Sequence, residues 1–287
     1  MNSTLKKYLP HSLYIAVYKA YKYGQYIFLN KKENINLVHF TKPTLKDVTY
    51  KDISYKIMID PENGLIDKDI YNNGIWEPEI LEILKEHVQE NSKCLDIGAN
   101  IGQHSMCMAA IAKKGKVYSF EPLPKLVNQI NQSIQANNFT NVTVCNFGLS
   151  NKNEVKEIYL DNLNIGRTTF DKRDEATSVE RAEVKVFDDF WNESDRIDFM
   201  KMDVEGYEYY ALQGMKKNIA TYHPKMLIEF TPLFYKKMNI SSEELLTFIL
   251  DLGYRIYDID QNKKEITKDT IQAFLESTPI QTNILCL

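Results

Sequence analysis

From residue 79 onward, apolar positions fall into two kinds of stretch that alternate. Short continuous apolar runs at 94–97, 116–120, 142–147, 197–202 and 225–230 read as buried strands. Longer stretches at 79–88, 104–113, 123–137 and 241–252 carry apolar residues at helical spacing. Two more strand-like runs, 254–259 and 283–287, close the chain, separated by a longer polar stretch. This order predicts an α/β fold: a doubly wound, mostly parallel seven-stranded sheet with an antiparallel C-terminal edge pair.

The pattern differs ahead of residue 79. Between 42 and 74, short extended runs, 54–59 the clearest, are separated by Pro61, Asn63-Gly64 and Asn72-Asn73-Gly74, which are hairpin signals. A small β element is expected there, followed by a helix that starts at Pro78. Earlier still, Leu13, Tyr14, Val17, Tyr18 and Tyr21 share one helical face while Lys19 and Lys22 lie on another. The expected organisation is an N-terminal helical and hairpin extension, 1–75, ahead of a main domain, 76–287.

Within the main domain, 151–186 is more polar, with extra strands at 155–160 and 184–186 around a loop, 161–177. Insertions at the ligand-facing end of a sheet select substrates, so Arg167, Thr168 and Thr169 are candidate substrate contacts; a plain connecting loop is the alternative.

Composition narrows the class. The 287 residues are 44% hydrophobic with a net charge of −4, a globular chain with no bulk attraction for nucleic acid. Cys94, Cys107, Cys145 and Cys286 have no metal-ligand spacing and are expected as reduced thiols in a cytoplasmic protein. In residues 1–32, Lys6, Lys7, Lys19, Lys22, Lys31 and Lys32 are met by no acid. The basic amphipathic helix there suits the anionic inner surface of a membrane, or docking on a subunit or on the chain's own body. It is too short and too charged to span a bilayer and lacks the features of a signal peptide, so no export is expected.

The candidate chemistry begins at 93–102, K-C-L-D-I-G-A-N-I-G, a strand breaking into a glycine turn and then a helix. Glycine serves where φ is positive or where a ligand lies against bare backbone. Dinucleotide sites use G-x-G-x-x-G, whereas Gly98 and Gly102 are spaced G-x-x-x-G with Asp96 just ahead. That acid repels a phosphate and attracts an ammonium or sulfonium. Glu121, at the end of the next strand, can accept both hydroxyls of a ribose. An adenosine with a positive tail fits better than NAD.

A second loaded point follows the fourth strand, at Asp203-Val204-Glu205-Gly206, and Glu229 ends the fifth. In an open parallel sheet, Asp96, Glu121, Asp203, Glu205 and Glu229 converge at the carboxyl ends of the strands. Their mutual repulsion calls for a cation: a bound sulfonium with its amino group, or a divalent metal.

These stretches carry a resemblance. D-I-G-A-N-I-G at 96–102, E-P at 121–122, D-F-M-K-M-D-V-E-G at 198–206, the Gln213-Gly214 turn and L-I-E-F at 227–230 resemble the FkbM family of S-adenosylmethionine-dependent methyltransferases. The resemblance covers roughly 76–231 and implies a Rossmann-like class I methyltransferase core acting on hydroxyl groups of sugars, glycans, glycolipids or natural products. It implies that Asp96, Gly98, Ala99, Asn100 and Gly102 hold the methionine part of S-adenosyl-L-methionine. Glu121 and Pro122 fall at the ribose, and the segment with Asn146, Gly148 and Leu149 at the adenine edge. Asp203 and Glu205 would face the methyl group and the acceptor.

Asp203, also a cofactor contact, is the expected general base, with Glu205 and His104 in reserve and Glu229 as a substrate contact. Two other readings remain open: a divalent ion on Asp203, Glu205 and Glu229 orienting the acceptor, and a non-catalytic partner that keeps the fold for binding.

Overall fold

The computed structural model describes residues 41–160, 168–170, 177–191, 196–260, 264–278 and 281–287. The basic helix expected at 13–23, Arg167 and most of the loop 161–177 lie outside the described residues. The chain divides into two compact units, one of them Phe40–Ile228 and the other including Glu229–Cys286.

The first unit opens with an antiparallel hairpin, β1 (Thr44–Tyr50) and β2 (Ile53–Ile59). Strict alternation in β2 buries Tyr55, Ile57 and Ile59 and exposes Ser54 and Lys56. The hairpin signals of 61–74 belong instead to helix α1 (Leu65–Asn73), bounded by Gly64 and by Gly74 in a left-handed C-cap. Asn-Gly pairs mark helix ends as readily as hairpin turns, because both need a positive φ.

Next come α2 (Pro78–His87), β3 (Lys93–Ile97), α3 (Gln103–Ile111), β4 (Lys116–Phe120), α4 (Pro124–Asn137) and β5 (Val142–Cys145). The free edge of β2 is satisfied by α4. Ser133 Oγ accepts from the Met58 amide at 2.9 Å, Asn137 brackets the Lys56 backbone at 2.7 and 2.6 Å, and Gln129 donates to the Met58 carbonyl at 2.7 Å. The hairpin is therefore built into the same unit as the main sheet.

The insertion is a separate small sheet, order β6-β8-β7, from β6 (Gly148–Leu149), β7 (Glu154–Leu160) and β8 (Ser178–Lys185). After a helical turn, α5 (Phe187–Phe190), the chain re-enters the main sheet as β9 (Phe199–Met202) and continues through α6 (Glu208–Gly214) and α7 (Lys216–Tyr222) to β10 (Lys225–Phe230). The helical stretch that follows β9 is in two pieces. It breaks after Gly214, where a side chain would meet the Ser150 carbonyl at 2.0 Å. Asp188 then caps the second piece, accepting from the Lys217 and Asn218 amides at 2.7 and 3.1 Å.

The main strands of this unit run parallel in the order β10-β9-β3-β4-β5. Their interiors, such as Cys94-Leu95-Asp96-Ile97, are buried on both faces, which is why the apolar runs are continuous rather than alternating.

The second unit holds α8 (Pro232–Lys237), α9 (Ser242–Asp251), β11 (Ile256–Asp258), β12 (Lys264–Ile266), α10 (Ile271–Ser277) and β13 (Thr282–Cys286). Ser241 caps α9, accepting from the Glu244 amide at 3.2 Å. The strands pair antiparallel in the order β12-β11-β13. Strand β12 brings the described strands of the parallel and C-terminal sets to eight where seven were expected. It carries one apolar residue, Ile266, in a polar run, so the hydrophobic pattern hides it. No helix among the described residues is long and apolar enough to cross a membrane.

Candidate active site

The site forms where the winding of the parallel sheet reverses. From β3 the chain steps to β4 and β5 on one side, and later to β9 and β10 on the other. The carboxyl ends of β3 and β9 flank the crevice that such a reversal opens. The glycine turn lies at that end of β3. Gly98 has φ +79°, and its amide and that of Ala99 both donate to the Phe120 carbonyl at 3.0 Å. The space beside Gly98, expected to receive a ligand, is filled by the chain itself: a β-carbon there would stand 1.9 Å from the Asp203 carbonyl oxygen. Gly102, at φ +86°, abuts Ile130 of α4 in the same way, at 2.9 Å. Both glycines fix the backbone of the turn.

Glu121 holds the turn from the neighbouring strand. Its two oxygens accept from the Asn100 amide at 2.9 Å and the Leu123 amide at 3.0 Å. Burial pushes the carboxyl up to about 7, against the pull of those amides. Asn146 completes the arrangement by donating to the Glu121 and Pro122 carbonyls at 3.0 and 2.9 Å. Gly148 and Leu149 are buried in β6, where Gly148 faces Phe170 and Val184.

The charged centre comes from strand register. Asp96 is flanked on one side by Ser119 of β4 and on the other by Lys201 of β9. Ser105 of α3 donates to Asp96 Oδ2 at 2.5 Å and contacts Ser119 Oγ at 2.7 Å. Lys201 is only 6% exposed, and its Nζ meets Asp203 Oδ2 at 3.0 Å. Burial opposes its charge, but Asp203, Asp96 and Glu77 outweigh burial and hold the ammonium above its ordinary pKa. Burial raises Asp96, offset in part by Lys201 and Ser105.

Lys201 escaped the sequence-based assignment of roles. The signal was present: a lysine between two methionines in a strand otherwise apolar, two residues before Asp203 and so on the same face. The acids at this rim were expected to need an external cation; one internal ammonium already stands among them.

His104, buried on α3, is held well below its ordinary pKa by burial and then by Lys201, and is neutral. Its Nε2 lies 3.9 Å from Glu77 Oε2 and makes no hydrogen bond among the described residues. Asp96 Oδ1 and Asn100 Oδ1 are likewise buried without a donor among the described residues. A set rich in acceptors and poor in donors fits a ligand bearing a positively charged donor group.

The D-V-E-G segment is a tight turn, with Glu205 at φ +54° and Gly206 at φ +100°. Glu208, which pattern alone did not single out, holds it: Oε1 accepts from the Val204 and Gly206 amides at 3.0 and 3.3 Å, and burial pushes the carboxyl up to about 7. Thr169 ties the insertion to the turn by donating to the Glu205 carbonyl at 3.0 Å, while the Thr168 hydroxyl is buried without a partner among the described residues. Glu229 is the first residue of the second unit's C-terminal portion, and there its carboxylate accepts from the Gln281 amide.

Comparison with known proteins gives this constellation a family. The family model of the methyltransferase FkbM domain matches residues 96–256, more than half the chain. That of protein-L-isoaspartate(D-aspartate) O-methyltransferase matches residues 27–149. The curated proteins give no match. Among solved structures, the chain is similar to a methyltransferase FkbM from Methylobacillus flagellatus KT, at 16% identity and TM-score 0.45, over 77% of this chain and 52% of that one. It thus spans about half the length of that relative. It is also similar to a methyltransferase from Streptococcus mutans in complex with SAH, at 12% identity and TM-score 0.42, covering 72% and 94% of the two chains. A precorrin-6y C5,15-methyltransferase from Geobacter metallireducens matches at 12% identity and TM-score 0.42, covering 74% and 88%. With its Rossmann-like fold and S-adenosylmethionine as its cofactor, the chain belongs to the FkbM family of methyltransferases.

Proposed function

We propose that the chain is an O-methyltransferase acting on a hydroxyl of a sugar, glycan, glycolipid or natural product, with Asp203 as the group that takes the hydroxyl proton. One observation carries this reading. The Asp203 side chain, 26% exposed at the carboxyl end of β9, has Oδ2 pinned by the buried Lys201 ammonium, while Oδ1 takes no hydrogen bond among the described residues. A carboxylate fixed on one oxygen and open on the other is suited to accept a proton from an acceptor in the crevice.

When bound, S-adenosylmethionine supplies a methyl carbon made electrophilic by a positive sulfur. Asp96 and the Asn100 side chain would receive its charged end, Glu121, Pro122 and Asn146 its sugar, and Gly148 and Leu149 the adenine edge. A hydroxyl is a weak nucleophile, and a carboxylate that takes its proton as the oxygen attacks contributes about 10²–10⁴ in rate. His104, in the first turn of α3, and Glu205, in the D-V-E-G turn, help position the acceptor. On this reading the enzyme is cytoplasmic, and the six lysines of residues 1–32 draw it to the inner membrane face or to a subunit.

Pure protein incubated with methyl-labelled S-adenosylmethionine and a glycan and glycolipid extract should yield one species gaining a CH₂ on a hydroxyl. Asp203→Asn should lower that transfer by about 10² or more, with cofactor affinity changed by less than about threefold. Label appearing on RNA, on nitrogen or as a base-labile carboxyl ester would refute the acceptor class. Undiminished transfer by the variant would remove Asp203 from its role.

A further inference from the structure

The turn that follows Asp203 is gripped from two directions. From the helix side, Glu208 lays one carboxylate oxygen across two of its amides, Val204 at 3.0 Å and Gly206 at 3.3 Å. From the insertion, Thr169 donates to the Glu205 carbonyl at 3.0 Å. The Tyr207 amide is bonded to the Val204 carbonyl at 3.2 Å, and the Asp203 amide to the Ile97 carbonyl at 3.0 Å. Each peptide unit from Asp203 to Tyr207 is thereby bonded through at least one of its polar groups.

Closing the helix end does not account for Glu208. The residue is 1% exposed, and its Oε2 is buried with no hydrogen-bond partner among the described residues. Burying an acid with one oxygen unanswered costs stability, whereas a small polar residue at the N-cap, where Tyr207 makes no side-chain bond, would close the helix from the surface. The bonds of Glu208 go to the turn, where Glu205 holds left-handed backbone at φ +54°. A non-glycine residue keeps that conformation only where its surroundings over-determine it. Thr169 is itself anchored: 1% exposed, it exchanges both backbone hydrogen bonds with Tyr159 of β7, at 2.8 and 3.1 Å. The residue that both grips fix in place is Asp203, at the start of the turn.

We propose that Glu208 and Thr169 are positioning residues, which clamp the D-V-E-G turn so that the Asp203 carboxylate keeps one orientation in the crevice. The inference rests on the reading of Asp203 as the group that takes the hydroxyl proton, and it makes the insertion a brace for that group.

A double-mutant cycle tests it, with transfer of label from S-adenosylmethionine to the glycan and glycolipid extract measured beside calorimetry of cofactor binding. Glu208→Met keeps the volume and removes the acceptor oxygens; transfer should fall about tenfold or more while cofactor affinity stays within about threefold. Glu208→Gln, which retains Oε1, should recover most of that loss. Thr169→Val should lower transfer by about threefold or more, and it decides the cycle alone should Glu208→Met not fold. On an Asp203→Asn background, either substitution should lower transfer by less than about twofold further, because the group they orient is gone. A full additional loss on that background overturns the proposal, as does wild-type transfer in both variants or cofactor affinity lost in step with transfer. Without any acceptor, hydrogen exchange over 203–207 should quicken in both variants, and wild-type exchange there also overturns it. Undiminished transfer by Asp203→Asn alone removes the base itself, a result distinct from these.

Discussion

Gly98→Ala should lose about 3–5 kcal/mol of folding stability in chemical denaturation, and cofactor binding with it. The added methyl would stand 1.9 Å from the Asp203 carbonyl oxygen and 2.9 Å from its carbon, both backbone atoms. Neither side can yield cheaply. The Asp203 amide is bonded to the Ile97 carbonyl at 3.0 Å, and the Gly98 and Ala99 amides are bonded to Phe120 on the opposite strand. Moving β9 away from β3 would also move Lys201 away from Asp96. The left-handed φ of +79° adds about 1 kcal/mol by itself. Gly74→Ala is the matched control, with φ +83° and nothing within 4 Å, and should cost only that smaller amount. Equal denaturation midpoints for the two variants would show that the close approach of β9 to the turn is misplaced.

Lys201→Met should be comparably damaging, by about 3–5 kcal/mol, for an electrostatic reason. The substitution preserves volume and apolar contact in the strand but leaves Asp96, fully buried, and Asp203 without their shared cation. Uncompensated buried charge is the expensive state, so adding Asp96→Asn to Lys201→Met should recover part of the loss, whereas Asp96→Asn alone should not stabilise. A Lys201→Met protein with the wild-type midpoint, or a double variant no better than the single, would contradict a shared buried ammonium.

What could be read from sequence follows from where each signal lies. The parallel strands and the helices α2 and α4 show because burial on both sheet faces produces unbroken apolar runs and packing on one face produces helical spacing, whereas α3 is buried on every side over Gln103–Ala109. Asp96, Glu121, Asn100 and Asn146 do come together at the glycine turn, in the order the motifs suggest. The break between α6 and α7 is invisible locally, since its cap, Asp188, lies 30 residues away. Helix α1 was masked by Asn-Gly pairs that serve helix ends, and β12 by its single buried side chain. Lys201 was missed because its role depends on register, which brings a strand residue beside Asp96. Gly98 shows the converse, a residue singled out in the sequence for a ligand whose close neighbour is the chain's own backbone.

Hydrogen exchange of the full chain with and without S-adenosylhomocysteine, resolved by peptide, probes the central claim most directly. Ligand should slow exchange at 96–104, 119–123 and 201–206 and leave the hairpin 44–59 unchanged. Protection confined to other segments, or none at saturating ligand, would contradict a cofactor site at the reversal of the sheet.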